Sequence, residues 1–216
     1  MDDKLYAITK YVEFPTDITP YDNTIKENEF KVLFPEIKFN LMNIDPKTVT
    51  KLSEVFSDIM EKYMIKLLGY VGIDDFPYTK LDEDTIGTVK RLSDGRYAII
   101  LNMNWHNNIF NTMRLVEFNQ RNLNWAGNKQ SPLYIFYHEI GHLLDKQYNL
   151  QNDKIILDIF YEERENVSGY GATAYADFIA ESVAYGEIMS MRNDYTVAMR
   201  VYNRINEIIS NTKEGL

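Results

Sequence analysis

The chain has 216 residues, 45% of them hydrophobic and 25% charged, and carries a net charge of −9. That is enough for one large domain or two small ones and long enough to bury a core, and the acidic balance argues against nucleic acid or an anionic membrane as the main partner, since both need a basic face. There is no cysteine, so disulfides and thiolate ligands are excluded and any metal site must draw on His, Asp and Glu.

The polar start Met1-Asp2-Asp3-Lys4 lacks a basic stretch followed by an apolar one, so the sequence reads as a cytoplasmic protein or a mature secreted form. No run approaches the length of a membrane-spanning helix. Residues 1–27, with Pro15 and Pro20, read as a strand or irregular arm. Residues 28–44 alternate polar and apolar, which predicts a half-buried strand ended or interrupted at Pro35. Asp45 as N-cap and Pro46 at the first turn open a helix to about residue 69, with Val49, Leu52, Phe56 and Ile59 on one face. Gly69 and Gly72 are expected to end it, and 73–84 reads as loop. Residues 85–102 predict a hairpin turning at Ser93-Asp94-Gly95.

A helix over 105–123 and a loop over 124–131 follow. Pro132 and the run LYIFYHEIGHLLDKQY predict a strongly apolar helix over 132–148. Further helices are expected over 152–164, 175–191 and 194–210, with a Gly-containing loop at 167–174. The sum is one α+β domain over 1–216. Its first part, 1–94, is β-rich with one long helix, its second half is helical, and its sheet is small and mixed or antiparallel.

Helical positions four apart share a face. In His138-Glu139-Ile140-Gly141-His142 the two imidazoles therefore point to one place, and neutral imidazole binds zinc at about 2.0–2.1 Å. Glu139 lies about 100° round the helix, where it can act as general base on a metal-activated water. Leu133, Ile135, Phe136, Leu143 and Leu144 put these groups on a buried or half-buried face. Ionisable groups there are costly without a compensating partner. Of three His in the chain, the third, His106, reads as a surface or packing residue.

Catalytic zinc takes three protein ligands and keeps an open position. Asp177 and Glu181, four apart on an apolar helix, are the candidates. One would ligate, while the other would accept the N–H of a ligand imidazole and fix its tautomer. Asp145, three after His142, tracks the same face. It reads as a further acid behind the ligands or as a helix anchor. Glu162 and Glu163 read as solvent-facing.

The segments HEIGHLLD, ILDIFYEE and SGYGATAYADFIAESVAYG resemble the catalytic domain of anthrax lethal factor and its relatives. These include secreted clostridial Pro-Pro endopeptidases and peptidases of phage and mobile elements. The resemblance spans 95–210, is strongest over 132–186, and leaves residues 1–90 without a match. It implies a zincin fold with 95–216 as the catalytic part, one Zn2+ ion, and peptide-bond hydrolysis with Glu139 as base. In that family a Tyr seven positions before the acidic ligand assists the oxyanion or donates a proton. Tyr170 and Asp177 match that spacing, although a Tyr in a loop also reads as plain packing. The acid four beyond the ligand matches Glu181. The family's ligand is usually Glu, so the shorter Asp177 is a departure and Glu181 stays an alternative ligand.

Such peptidases hold extended substrate on an edge strand. The resemblance puts that strand at 96–102, with Ala98, Ile99 and Ile100 as substrate-binding positions. Trp105, Trp125, Tyr134 and Tyr137 are candidates for subsites or for core. The expected function is a zinc-dependent endopeptidase acting on a protein or peptide. Two other readings stand beside it: a non-catalytic peptidase-like binding module of a toxin or phage particle, and a regulatory metallopeptidase of a mobile element.

Overall fold

The computed structural model describes residues 19–73, 85–107, 131, 133–189 and 196–214. The chain divides into two compact units, Met1–Leu115 and Val116–Leu216.

The first unit contains a four-stranded mixed sheet, so the α+β expectation with a small mixed sheet holds. Its strands are β1 (Lys38–Asn40), β2 (Leu68–Ile73), β3 (Gly87–Arg91) and β4 (Tyr97–Leu101), in the order β1-β2-β4-β3. β1–β2 and β2–β4 pair parallel, whereas β3–β4 is an antiparallel hairpin. Phe39, Val71 and Ile99 lie in register across three strands and are almost wholly buried. This row is the inner face of the sheet. Two helices belong to the same unit, α1 (Thr24–Leu33) and α2 (Pro46–Lys62). The Phe30 ring of α1 meets Phe39 at 4.9 Å and Phe56 of α2 at 5.3 Å between centroids, so both helices share a core with β1.

α2 starts as expected. Asp45 Oδ1 accepts the Lys47 N–H at 2.9 Å behind Pro46. It stops earlier than expected, at Lys62, with Met64 in the left-handed region (φ 44°). Gly69 and Gly72 do not end a helix; they lie inside β2. A Cβ on Gly72 would sit 2.5 Å from the Asn40 carbonyl oxygen, so the glycine lets β1 and β2 approach. β2 is buried along most of its length and reads as a continuous apolar run, without the alternation that marks a half-exposed strand.

The strand expected over 28–44 is corrected too. Most of its first half is α1, in which Phe30 alone is buried. The Lys31–Glu27 and Lys26–Glu29 pairs bridge successive turns. Phe34 precedes Pro35, and a residue before proline leaves the helical region. Only Lys38–Asn40 is strand.

The hairpin is where the sequence puts it, with the Gly95 N–H donating to the Leu92 carbonyl. One correction bears on function. β4, with Ala98, Ile99 and Ile100, is not an edge strand. It lies between β2 and β3 and its backbone is paired on both sides, so no peptide can add to it. The antiparallel edge is β3. Of the helix expected over 105–123, one turn, α3 (Met103–His106), is described. The rest of it, the arm over 1–18 and Trp125 lie outside the described residues, as does the side chain of Trp105. Among the described residues no helix is long and apolar enough to cross a membrane.

The second unit is helical: α4 (Tyr134–Tyr148), α5 (Lys154–Glu163), α6 (Tyr175–Met189) and α7 (Val197–Glu214). Each lies where the periodicity predicts, with ends shifted by a few residues. Asp153 caps α5 by accepting the Ile156 N–H, and it also pairs with Arg204 of α7 at 2.8 Å. α6 is the central element: every residue from Phe178 to Gly186 is buried, as expected of a helix apolar on all sides. α4 packs directly on it. A Cβ on Gly141 would lie 2.6 Å from Ala180 Cα, so the glycine lets the two backbones come close.

Candidate metal centre

Close packing of α4 on α6 brings the chemistry together. His142 meets Asp177, and one turn back along α4 His138 meets Glu181, one turn on along α6. The helices therefore run antiparallel, and the one-turn spacing of each motif matches the other.

Three ligand atoms converge. His138 Nε2 and His142 Nε2 are 3.1 Å apart, and Asp177 Oδ1 lies 3.8 Å from the first and 3.4 Å from the second. Among the described residues these three form the group that could hold a metal ion. Ligands at about 2.0–2.1 Å in tetrahedral array stand about 3.3–3.4 Å from one another. The observed edges of 3.1–3.8 Å bracket that spacing, so the triangle could hold a cation of that size. His138 is buried, while the side chains of His142 and Asp177 are 21% and 18% exposed, so the group opens on one side.

Glu181 takes the other role. Its Oε1 lies 2.9 Å from His138 Nδ1. A proton on Nδ1 donated to that carboxylate leaves the Nε2 lone pair facing the triangle. Asp177 thus stands among the converging atoms, and Glu181 stands behind His138. Burial alone would lower the His138 pKa, but the hydrogen bond and charge of Glu181, with Glu139 and Asp177 behind them, raise it to about 9. Three carboxylates around two imidazoles make a pocket that attracts positive charge.

Glu139 is 4% exposed. Burial raises its pKa; the two imidazoles pull it back and Asp177 pushes it up, and the net direction is up. A carboxylate beside the cluster with raised proton affinity suits a general base.

Tyr170 comes from the turn before α6. Ser168 Oγ accepts the Gly171 N–H at 2.7 Å, and the Ala172 N–H reaches the Ser168 carbonyl. This folds the turn against Glu181, whose Cβ would be 3.4 Å from a Cβ on Gly171. The Tyr170 ring centroid is 5.7 Å from that of His138. Burial, the charges of Asp177, Glu181 and Glu139, and a hydrogen bond to Asp177 raise its pKa. The phenol therefore stays protonated and able to donate.

Asp145 does not stand behind the ligands. Its Oδ1 accepts the Gln151 N–H at 2.8 Å and its Oδ2 pairs with Lys146. It anchors the chain leaving α4, where Asn149 is left-handed (φ 55°). Glu162 is exposed, whereas Glu163 bonds Arg200 of α7 at 2.7 Å. His106 belongs to the first unit and is wholly buried, a packing residue whose pKa burial lowers to about 4, against the Ile86 backbone. Tyr134 and Tyr137 are core residues of α4. The Tyr134 hydroxyl near Glu181 was not expected, although its position four before His138 was a signal.

No protein-family model matches this chain, and no curated protein does.

Proposed function

We propose that this protein is a zinc-dependent endopeptidase of the zincin type, similar to lethal factor. The observation that carries the reading is the convergence of His138 Nε2, His142 Nε2 and Asp177 Oδ1 on a half-open face, with Glu139 buried beside them. The donor set, two imidazoles and a carboxylate, suits zinc. Zinc held there would supply a Lewis acid that polarises a peptide carbonyl and acidifies a water molecule.

The chain's own residues would do the rest. Glu139 takes the proton of the attacking water as the new C–O bond forms, then passes it to the amine nitrogen as the C–N bond breaks. The Tyr170 hydroxyl donates a hydrogen bond to the oxygen on which negative charge develops. Glu181 holds His138 in the tautomer and orientation that keep Nε2 free.

The test pairs metal content with cleavage. Elemental analysis should find one zinc per chain, and a peptide library should be cut. Glu139→Ala should keep the zinc and lose cleavage. Zinc-loaded wild type that cuts nothing in a broad library refutes the peptidase reading. Absence of stoichiometric zinc would favour the non-catalytic binding module.

A further inference from the structure

Two buried polar atoms in the second unit lack hydrogen-bond partners among the described residues, and they are complementary. Glu181 is wholly buried; Oε1 faces His138, but Oε2 has no donor. The Tyr134 hydroxyl, also wholly buried, has no acceptor. A carboxyl group in the core with one of its oxygens unpaired is costly, and so is an idle phenol.

Their placement follows from the helix pair. Along α4 the row Tyr134, His138, His142 recurs every four residues, and along α6 the row is Asp177, Glu181. Since His142 meets Asp177 and His138 meets Glu181, Tyr134 is the next α4 group past Glu181, on the side away from the ligand triangle. Burial, followed by the negative charge of Glu181, holds the phenol's pKa well above its ordinary value. The neutral O–H is thus the donor at hand for Glu181.

We infer that Tyr134 is a positioning residue: its hydroxyl donates to Glu181 Oε2 and completes a relay Tyr134–Glu181–His138 that orients the His138 imidazole towards the metal. This rests on the metal-site reading above. Tyr134 touches neither the reacting atoms nor the ligand triangle. It acts by fixing the Glu181 carboxylate, which would otherwise be free to turn about its last bond and release Nδ1.

Zinc alone is the probe. Zinc affinity is measured by chelator competition for wild type, Tyr134→Phe, Glu181→Gln and the double variant, together with metal-free melting temperatures. Removing a partner behind a ligand His costs about 10–100-fold in metal affinity, so Glu181→Gln should fall in that range. Tyr134→Phe, one step further out, should bind zinc about three- to tenfold more weakly. The double variant should be no weaker than Glu181→Gln, because Tyr134 acts through Glu181. Nitrogen-15 shifts of the metal-free protein, taken at a pH high enough to neutralise the imidazole, should show His138 protonated on Nδ1, and a tautomer mixture in Tyr134→Phe. That readout stands apart from any general loss of stability.

Wild-type zinc binding with Tyr134→Phe within twofold of it, or with losses that add in full, overturns the relay and leaves the peptidase reading intact. Wild type that binds no zinc overturns both.

Discussion

The glycine of HEIGH sets how closely the two site helices approach, and Gly141→Ala tests that directly. The added Cβ would lie 2.6 Å from Ala180 Cα, 3.1 Å from the Ala180 carbonyl oxygen and 3.2 Å from Val183 Cβ. Carbon atoms settle at about 3.5–4.0 Å. The nearest obstacle is backbone and cannot rotate away, so α4 and α6 must part by roughly 1 Å. Two effects on stability oppose each other. Alanine favours the helix over glycine by about 1 kcal/mol, whereas overpacking costs about 1–3 kcal/mol. The metal-free protein should therefore lose only about 0–2 kcal/mol. The site should suffer more. The same shift stretches His138 Nδ1 to Glu181 Oε1 from 2.9 Å to roughly 3.9 Å, beyond a hydrogen bond, and spreads the ligand triangle. Zinc affinity should fall by about tenfold or more. Urea titration of the metal-free protein and chelator competition measure the two quantities separately. If Gly141→Ala is as stable as wild type and binds zinc equally well, close helix approach does not set the site.

Tyr170→Phe should keep one zinc per chain and an unchanged KM while kcat falls about 10²–10³-fold, as for a lost oxyanion donor; a fall in zinc content instead would make Tyr170 a structural residue. Apparent zinc affinity should rise with pH up to about 9, since a proton on His138 competes with the metal below its raised pKa; isothermal titration across pH 6–9 should show proton release on binding, and its absence would remove His138 from the ligand set. His106 offers a separate test in the first unit. Its pKa of about 4 lies below the unfolded value of 6.5, so its contribution is fully present above pH 6.5 and is lost as pH falls towards 4, about 3 kcal/mol in all. His106→Leu should therefore resist acid better than wild type in urea midpoints at pH 7.5 and 4.5; an equal acid loss in both proteins would count against the buried neutral imidazole.

Local periodicity made the metal-site helix legible, because two imidazoles four apart on a helix must share a face whatever the helix packs on. The acids were legible for a weaker reason. Asp177 and Glu181 sit four apart on an apolar helix, which says they act together but not which meets the metal. That choice depends on the antiparallel register of α4 on α6, and register is a tertiary property set partly by where small residues let backbones touch. Failures elsewhere have the same origin. LGYVGI carries no alternation because both faces of β2 are covered. β4 looks like any strand until pairing on both sides makes it internal. α1 hides in the first half of an alternating stretch, and its own apolar residues, apart from Phe30, point outward. In each case the deciding partner lies far along the chain. Gly141 joins the two kinds of information. It occupies a position in HEIGH to which the motif's chemistry assigns no task, yet its missing side chain is what permits the contact with Ala180 and so puts Asp177, rather than the longer Glu181, among the ligand atoms. A carboxylate as short as that of Asp177 reaches the triangle where the helices carrying the two halves of the site lie this close.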